Sequence, residues 1–427
     1  MFPLLDATAL LLRFFPVVLL FELPAYALCW FGAIAHVLAS RKAGRDEGFL
    51  PAVSCIVTCY AEGRDVGLTV RTLLEQTYPG PIEILVVVDG AVQNRATYAA
   101  ARAWQTVARR YPLRQLHVLP KRTRGGRVSS LNAGRQFARG EVVLALDGDT
   151  SFDNDMVWHI TRPFADPAVG GVSGTLRVRN AAASLVARLQ ALEYMLSIQL
   201  ARTGLTALDA VNNISGAFGA FRRDLLDRVD GWDAGTAEDL DITLRIKKRA
   251  KGSAQHRIVH APRAMGHTDA PTTWRGFFRQ RLRWDGDLYY LYVRKHWKSL
   301  TPRLLGWRSW IMLMWTGVYF QLLMPFAIVG STVWIAASSS GPALLAVGAL
   351  VYGFYALVTA ALFLTYLLLL SERPARDWPY LALVPVYPFF TFATRVWNAV
   401  ATLAELLARQ HFDSSMAPWW VLRKTRF

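Results

Sequence analysis

Cysteine is scarce in this sequence, and its spacing excludes two classes of protein. The 427 residues contain only Cys29, Cys55 and Cys59. Three thiols at these positions do not resemble the disulfide framework of a small secreted protein. Cys55 and Cys59 also have no histidine or further cysteine near them in sequence to complete a zinc-ligand pattern. We therefore expect the thiols to be reduced and structural.

Acidic residues are also few: the chain has 31 Asp and Glu but 48 Lys and Arg, which gives a formal charge of +17. A basic surplus is the footprint of a nucleic-acid-binding protein. Here the basic residues cluster beside apolar segments, where anionic lipid attracts them. A site for an anionic, phosphate-bearing substrate is a second source of positive charge. We expect a lipid bilayer, and no nucleic acid, among the partners.

Short-period repeats and long low-complexity linkers are absent, whereas long apolar runs are present. Hydrophobic residues make up 53% of the chain and charged residues 19%. The chain is therefore too apolar for an ordinary soluble enzyme and too polar for a pure membrane bundle. The apolar residues concentrate in 14–38 and 308–409, and residues 50–300 between them are typical of a water-soluble domain.

The first apolar run is long enough to cross a bilayer, which takes about 20 residues. Glu22 lies in its middle. A signal peptide would be shorter and would have a basic start, and a buried core helix would rarely be so long. Arg41, Lys42 and Arg45 follow the run. Basic flanks favour the cytoplasm, so we expect the soluble domain on the cytoplasmic side.

The C-terminal region contains three apolar stretches, near 310–337, 342–370 and 378–409. Three full spans would place the tail outside, but the basic tail VLRKTRF favours the inside. The third stretch holds Pro385, Pro388 and Arg395, which is typical of a broken or re-entrant segment. The number of spans stays open at this point. The predicted division of the chain is an N-terminal transmembrane helix in 1–45, a soluble domain in 46–270, interfacial helices in 271–303 and a membrane region in 304–427.

The soluble domain begins with a strand–helix–strand pattern. The runs VSCIVTCYAE at 53–62 and IEILVVVDG at 82–90 are predicted to be apolar strands. In the segment between them the apolar residues have helical spacing. EVVLALD at 141–147 supplies a further strand. Uninterrupted apolar strands indicate a largely parallel sheet with helices on both faces. Ligands of such sheets bind at the carboxyl ends of the strands, where Asp89, Asp147 and Asp149 fall.

Two carboxylates separated by a glycine follow the strand at 141–147. If strand geometry persisted, Asp147 and Asp149 would point the same way, and Gly148 would let a ligand approach. A divalent cation between two carboxylates and substrate phosphates would relieve their repulsion. The alternative is a solvated turn, because Asp and Gly are turn residues.

The basic stretch KRTRGGRVSSLNAGRQFARGE at 121–141 joins a glycine turn to a helix. A glycine turn at a helix N-terminus can receive phosphate. The alternative is a basic loop that caps a surface helix.

The stretch GWDAGTAEDLDITLRIKKRAKG at 231–252 has a helical apolar stripe. Thr236 and Asp239 have the spacing of a helix-capping pair. Alternatively, Asp239 is a general base that takes a proton from an acceptor hydroxyl.

The stretch WRGFFRQRLRWDGDLYYLYVRKHW at 274–297 is rich in aromatic residues and arginine, as in an interfacial amphipathic helix. Gln280, Arg283 and Trp284 fall on one helical face. The structural alternative is a helix that lies on the membrane surface and has no role in catalysis. The two interpretations are compatible, because the outer face can lie on lipid while the inner face covers a site.

Together these stretches resemble the membrane-embedded, processive family 2 glycosyltransferases, which include cellulose, chitin, hyaluronan and poly-N-acetylglucosamine synthases. The resemblance covers about residues 50–300, in the motif order of that family. DGD matches its D-x-D motif, RGGRVSSLN stands at its Gly-Gly-Lys-type segment, SGAFGAFRR at 215–223 is similar to its acceptor-side segment, AED at 237–239 matches its T-E-D-type motif, and QRLRW fits its Q-x-x-R-W motif. QRLRW is the most specific, because it accompanies the polymerising members.

The resemblance implies an α/β GT-A-like, Rossmann-like cytosolic domain inserted between transmembrane helices, and it implies roles for individual residues. Asp239 and Glu238 would be catalytic, and Asp147 and Asp149 would hold Mg²⁺ or Mn²⁺. The nucleotide would be bound by Thr58, Tyr60, Glu62, Asp89, Arg127 and Asp147. The acceptor and the diphosphate would contact Ser215, Gly216, Gln280, Arg283 and Trp284.

The sequence departs from the family pattern at three places. VVVDG has one aspartate where many members have two, Ala237 stands for the usual threonine, and Arg127 for the usual lysine. None of these changes removes a carboxylate that metal or base chemistry needs. Arginine keeps the charge but presents a different donor geometry. No cyclic-dinucleotide-binding module is expected after the membrane region.

The function that the resemblance implies is inverting polymerisation of a sugar from a nucleotide-sugar donor, most simply a UDP-sugar, at the cytosolic face of a bacterial inner membrane. The growing polysaccharide would be the acceptor and would leave through the membrane region. A small membrane or export protein is a possible partner subunit. The ending PWWVLRKTRF is similar to that of β-linked N-acetylglucosamine synthases. The alternatives are a non-processive transferase that adds one sugar to a lipid acceptor, and a transporter or scaffold without activity.

Overall fold

The computed structural model describes residues 22–42, 48–233, 237–248 and 256–409. Some features of the sequence analysis lie outside the described residues: residues 14–21 of the first apolar run, Arg45, Thr236, residues 249–252 and the C-terminal PWWVLRKTRF. All three cysteines lie within them and are free thiols, as expected.

Eight strands form one mixed sheet in the order β3-β2-β1-β4-β7-β6-β8-β5. The strands are β1 (Val53–Cys59), β2 (Ile82–Val88), β3 (Arg114–Pro120), β4 (Val142–Asp147), β5 (Ser151–Phe152), β6 (Val169–Val178), β7 (Phe218–Arg222) and β8 (Arg257–Thr268). The half from β3 to β4 is parallel, as the sequence predicts. The other half is mixed, because β7 runs antiparallel to both β4 and β6, while β6 and β8 are parallel.

Helices cover both faces of the parallel half. Cys55 and Val57 of β1 belong to one hydrophobic core cluster, whereas Ile56 between them belongs to a second cluster on the opposite face. β4 alternates in the same way, with Leu144 in the first cluster and Val143 in the second. Both side-chain sets of each strand are therefore buried, which explains why these strands are uninterrupted apolar runs.

The helices divide between the soluble domain and the apolar regions. Within and next to the sheet they are α2 (Val66–Leu74), α3 (Arg95–Ala108), α4 (Gly126–Phe137), α5 (Met156–Thr161), α6 (Leu185–Glu193), α7 (Arg202–Ala207), α8 (Arg223–Arg228), α9 (Glu238–Lys247) and α10 (Trp274–Tyr289). In the apolar regions they are α1 (Leu23–Lys42), α11 (Pro302–Leu305), α12 (Trp307–Leu313), α13 (Met324–Ser338), α14 (Gly341–Leu369), α15 (Pro374–Asp377) and α16 (Tyr387–Ala408). Wider π-helical turns continue three of these helices, at Tyr194–Ala201, Tyr290–Lys295 and Met314–Leu323.

Three helical segments among the described residues are long and apolar enough to cross a membrane: Leu23–Ser40, Trp307–Ser338 and Gly341–Leu369. The first belongs to the N-terminal run and the other two to the first two C-terminal stretches. Glu22, in the N-terminal run, is buried, and its carboxylate accepts a hydrogen bond from the hydroxyl of Tyr355. A partner inside the protein explains how a charged residue fits this segment.

The third C-terminal stretch is not a further candidate span. It begins with a 3₁₀ turn at Trp378–Leu383 and continues as α16. The loop before it lies against the soluble domain, because Arg177 at the end of β6 pairs with Asp377 at 3.2 Å. Two candidate spans therefore lie between α10 and this loop, and the number of C-terminal spans stays a prediction.

Candidate active site

The ends of three neighbouring strands meet at one edge of the sheet. Thr58 near the end of β1 is in register with Asp147 at the end of β4. The amide of Asp89, directly after β2, donates to the carbonyl of Cys59 at 2.8 Å. Parallel pairing therefore brings these residues to the edge where ligands of α/β sheets bind.

Asp89 organises the glycine turn that precedes α4. Its buried carboxylate accepts hydrogen bonds from Lys121 Nζ at 2.6 Å, from the Gly125 amide at 2.9 Å and from the Gly126 amide at 2.7 Å. Gly126 has a positive φ of 80°, which favours glycine. The amides of Gly125 and Gly126 therefore donate to Asp89, as in the alternative of a capped helix, and phosphate binding by this turn stays a prediction.

Arg127, one residue further on, connects the separate stretches of the site. Its Nε donates to Glu238 Oε1 at 2.6 Å and its Nη1 to Thr58 Oγ1 at 2.8 Å. Nη1 also donates to the carboxylate of Asp147, and Nη2 to the carbonyl of Gly216. A single guanidinium thus joins the end of β1, the end of β4, the segment before β7 and the start of α9. The fork of five N–H groups makes this possible, because a lysine ammonium has only three.

The two carboxylates of D-G-D do not follow strand alternation. β4 ends at Asp147, and residues 148 and 149 form a turn. The expectation that alternation aims both side chains at one point is therefore wrong. Gly148 also serves packing rather than ligand access, since a Cβ there would lie 2.6 Å from Cys59 Sγ and 3.0 Å from the Thr58 carbonyl. Asp147 is half-buried beside Arg127, and Asp149 is exposed.

The loop after β1 lies beside Asp149. Burial raises the pKa of Glu62, and the nearby carboxylate of Asp149 adds to this increase. Glu62 also accepts a hydrogen bond from the amide of Tyr60 at 2.6 Å. The guanidinium of Arg124 lies 4.3 Å from the centre of the Tyr60 ring, so the loop and the glycine turn form one wall of the site.

The residues present fit a cation that completes its coordination with ligand oxygens. No group of three or more His, Cys, Asp and Glu side chains could hold a metal among the described residues. Asp147 and Asp149 provide two carboxylates, and Asp147 already binds a positive group, the guanidinium of Arg127. Mg²⁺ is commonly held by one or two carboxylates together with substrate phosphates.

Asp239 and Glu238 begin α9 and differ in their surroundings. Asp239 is half-buried, and its carboxylate accepts from the Gly216 amide at 3.1 Å and from the Leu240 amide at 2.8 Å. Glu238 is buried; burial raises its pKa, Arg127 opposes the increase, and the charge of Asp239 adds to it. Asp239 is therefore the more accessible of the two carboxylates.

Gly216 holds the acceptor-side segment close to α9. Its amide and carbonyl contact Asp239 and Arg127, and a Cβ would lie 3.3 Å from Glu238 Oε1 and 3.4 Å from Asp239 Oδ2. The neighbouring amide of Ser215 donates to Ser173 Oγ of β6 at 3.3 Å. The sequence analysis did not single out Ser173, because nothing in the pattern of β6 distinguishes it.

Gln280, Arg283 and Trp284 all belong to α10, as predicted from the sequence spacing. The indole of Trp284 is 40% exposed, and the guanidinium of Arg281 lies 5.0 Å from the centre of its ring. Gln280 Oε1 is buried without a hydrogen-bond partner in the described part of the chain. No hydrogen bond connects the three side chains with Asp147, Asp149 or Asp239 within the described ranges.

Arg281 is a residue that sequence reasoning missed. It forms an ion pair with Glu193 at the end of α6 and packs over the rings of Phe277 and Trp284. The helical face chosen from the spacing i, i+3 and i+4 excluded it. α10 is further fixed by α16, because the indole N–H of Trp397 donates to the carbonyl of Phe278 at 2.8 Å.

Comparison with known proteins agrees with this geometry. The chain is 27% identical over 259 residues to the poly-beta-1,6-N-acetyl-D-glucosamine synthase of Staphylococcus epidermidis, covering 60% of this chain and 58% of that protein. It is 26% identical over 293 residues to the synthase of the same name from Staphylococcus aureus strain COL, covering 66% of each. The chain thus spans about three fifths of the length of the first of these curated relatives.

Among solved structures, the chain is similar to the mannosyltransferase PcManGT of Pyrobaculum calidifontis in complex with GDP-Man and Mn²⁺. The TM-score is 0.59 at 22% sequence identity, and the match covers 90% of this chain and 99% of that one. This likeness confirms the GT-A-like fold. A sequence profile described as "Glycosyltransferase like family 2" matches residues 51–286, more than half of the chain. The chain therefore belongs to glycosyltransferase family 2.

Proposed function

We propose that the chain is a processive, inverting β-glycosyltransferase that takes a sugar from a UDP-sugar and extends a polysaccharide. The observation that carries the proposal is the set of contacts around Arg127. This one side chain reaches Asp147, on the donor side, and Glu238, next to Asp239 on the acceptor side. The two halves of a displacement reaction thus lie on either side of one guanidinium, close enough for donor and acceptor to meet.

The donor half of the site consists of the strand ends and their loops. Tyr60 presents a flat face to the base, and Asp89 keeps the glycine turn and Arg127 in place beside the nucleotide. One N–H group of Arg127 can turn from a carboxylate to the diphosphate, because the guanidinium forms good hydrogen bonds with phosphate oxygens. When bound at Asp147 and Asp149, Mg²⁺ or Mn²⁺ would offset the charge that develops on the departing diphosphate.

The acceptor half consists of α9 and α10. Asp239 accepts the proton of the acceptor hydroxyl. The hydroxyl oxygen forms a bond to the anomeric carbon of the donor sugar while the bond from that carbon to the diphosphate breaks, and UDP leaves with the bonding electrons. Attack from the face opposite the diphosphate inverts the configuration. Trp284 provides a flat surface for the acceptor sugar, and Gln280, Arg283 and the Ser215–Gly216 segment contact the acceptor end or the diphosphate.

Polar side chains in the apolar region support an export route. The paired Glu22 and Tyr355 lie among membrane-spanning helices, and Arg395 of α16 donates to the Phe320 carbonyl at 2.9 Å. Ionisable groups at such places commonly mark pathways for polar substrates. We place the soluble domain in the cytoplasm of a bacterium and the product outside. Because relatives are named poly-beta-1,6-N-acetyl-D-glucosamine synthases, UDP-N-acetylglucosamine is the first donor to test.

The test is a panel of nucleotide sugars offered to the full chain in membranes, with Mg²⁺ or Mn²⁺. Nucleotide release and product length are measured together, and Asp239→Asn serves as the control. We expect release from one UDP-sugar and a product of many sugar units. Single-sugar products would favour the non-processive alternative, and no release from any donor would contradict the proposal.

A further inference from the structure

Arg202 is a charged residue that the mechanism above does not use. It begins α7, and its Nη1 donates to Ser173 Oγ at 2.8 Å. The same oxygen accepts from the Ser215 amide, and the next amide in the chain, that of Gly216, donates to Asp239. Arg202 is therefore connected to the proposed base through one serine and one short segment of backbone.

Arg202 and Asp239 also act on each other through their charges. Burial lowers the pKa of Arg202, and the carboxylate of Asp239, followed by Tyr194, opposes that decrease. Burial likewise lowers the pKa of His260, and the positive charge of Arg202 adds to this. His260 is thus kept neutral beside Arg202.

The other charged and titratable groups around Asp239 do not replace Arg202. On its own helix, Glu238 is paired with Arg127 of α4, whose guanidinium also contacts Thr58, Asp147 and Gly216. From the segment after α10, Tyr292 faces Asp239. Burial and that carboxylate raise the pKa of Tyr292, so it stays uncharged. Arg202, whose own pKa responds to the charge of Asp239, is bound to the segment that contacts this carboxylate.

The N-terminal membrane helix keeps α7 in place. A Cβ on Gly204 would lie 2.0 Å from the carbonyl oxygen of Cys29, and a Cβ on Gly32 would lie 2.4 Å from the carbonyl oxygen of Gly204. The backbones of α1 and α7 are therefore in direct contact, two residues from Arg202. Close contact between glycines is a common way for helices in membranes to pack.

We propose that Arg202 is a positioning residue for the proposed catalytic base: through Ser173 it holds the Ser215–Gly216 segment against Asp239. The inference depends on the proposed function only for the role of Asp239. It adds the N-terminal membrane helix, through α7, to the elements that set up the acceptor side.

The test is kcat for nucleotide release, at saturating donor, in Arg202→Gln and Arg202→Lys. The shorter, uncharged side chain of Arg202→Gln no longer holds Ser173 in place, so kcat is expected to fall on the order of 10- to 100-fold, the effect of a small misplacement of a reacting group. Arg202→Lys, which keeps a long side chain with a charged donor, is expected to restore most of kcat. Arg71→Gln, which removes an arginine exposed on α2, is the matched control and is expected to leave kcat unchanged.

Two further measurements separate positioning from a general loss of structure. UDP binding is expected to be unchanged in Arg202→Gln, and Ser173→Ala is expected to lower kcat without a loss of UDP binding. An unchanged kcat in Arg202→Gln, or a loss of UDP binding as large as the loss of kcat, would overturn the inference while the proposed function stands. If the wild-type chain releases no nucleotide from any donor, both fall.

Discussion

Arg127 and Glu238 lie 111 residues apart in sequence, yet Nε of the arginine donates a 2.6 Å hydrogen bond to Oε1 of the glutamate. Through this contact and its contact with Asp147, the arginine holds the carboxyl end of β4 against the start of α9. The family usually has a lysine at this position. An ammonium offers three N–H donors on one nitrogen, whereas the guanidinium reaches several acceptors at fixed angles. Arginine at this position therefore joins the carboxyl end of β4 to the start of α9 in this chain.

Replacing Arg127 tests this connection. In Arg127→Gln, the buried carboxylate of Glu238 loses its cation, and breaking a buried ion pair costs about 3–5 kcal/mol. We expect a lower thermal unfolding midpoint in detergent. The loss should grow as the pH rises, because burial raises the pKa of Glu238 and the folded variant is more stable when this group is protonated.

Two variants serve as controls for Arg127→Gln. Arg127→Lys keeps the charge and should retain most of the stability. Arg135→Gln removes an arginine from the same helix, but its partners Asp227 and Asp230 are exposed. Pairs of that kind contribute about 0–1 kcal/mol. Equal destabilisation by Arg127→Gln and Arg135→Gln at every pH would show that the Glu238 contact is unimportant.

Trp284→Ala tests the acceptor surface. We expect weaker binding of the acceptor, measured as shorter products and a lower kcat with added oligosaccharide. The lost aromatic contact is with the acceptor sugar and is worth about 1 kcal/mol. UDP binding should therefore stay within about twofold of the wild-type value. Trp284→Phe should restore most of the activity. Trp297→Ala removes a more exposed indole outside α10 and should have no effect. A loss confined to UDP affinity would argue against the acceptor role.

Asp241→Asn tests the structural support beneath the site. Asp241 is fully buried on α9; its Oδ2 contacts Arg245 Nε at 2.6 Å, and its Oδ1 contacts His296 Nε2 and Lys295 Nζ, both at 2.8 Å. Burial alone would raise the pKa of Asp241, but the hydrogen bond from His296 and the charges of Arg245 and Lys295 hold it well below its usual value. Removing the negative charge takes the carboxylate from Arg245 and one of two carboxylates from Lys295, and breaking a buried ion pair costs about 3–5 kcal/mol.

The pH dependence of that variant has a definite sign. A carboxylate with a depressed pKa stabilises the fold above the unfolded value, about 3.9, and this stabilisation is lost as the pH falls through the folded value. The wild type should therefore lose stability on acidification below about pH 4, measured as the unfolding midpoint, and Asp241→Asn should lose less over the same range. Parallel curves for the two proteins would contradict the assignment.

Local patterns predicted much of this fold. Apolar runs with β-branched residues identified β1, β2 and β4, because strands buried on both faces need such residues throughout. The spacing of Gln280, Arg283 and Trp284 likewise placed them correctly on a helix. The antiparallel half of the sheet was not predicted, since the pairing of β7 between β4 and β6 depends on contacts distant in sequence.

The candidate site was predictable only in part. Motif order singled out Asp147 and Asp239, whose roles stay predictions, but strand alternation failed for Asp149, because β4 ends two residues earlier. Arg202 and Arg281 left no signal in the sequence. Each acts through a partner on another element, Ser173 and Glu193 respectively, and no local pattern encodes such a contact.

The measurement that tests the account most directly is a comparison of Asp149→Asn and Asp239→Asn for Mn²⁺-dependent UDP binding and for turnover. The account predicts that Asp149→Asn weakens binding by at least about tenfold, since losing even a supporting group of a metal site has that effect. It predicts that Asp239→Asn binds UDP normally but turns over on the order of 100- to 10,000-fold more slowly. Normal turnover in Asp239→Asn, or unchanged Mn²⁺-dependent binding in Asp149→Asn, would contradict the division of the site into donor and acceptor halves.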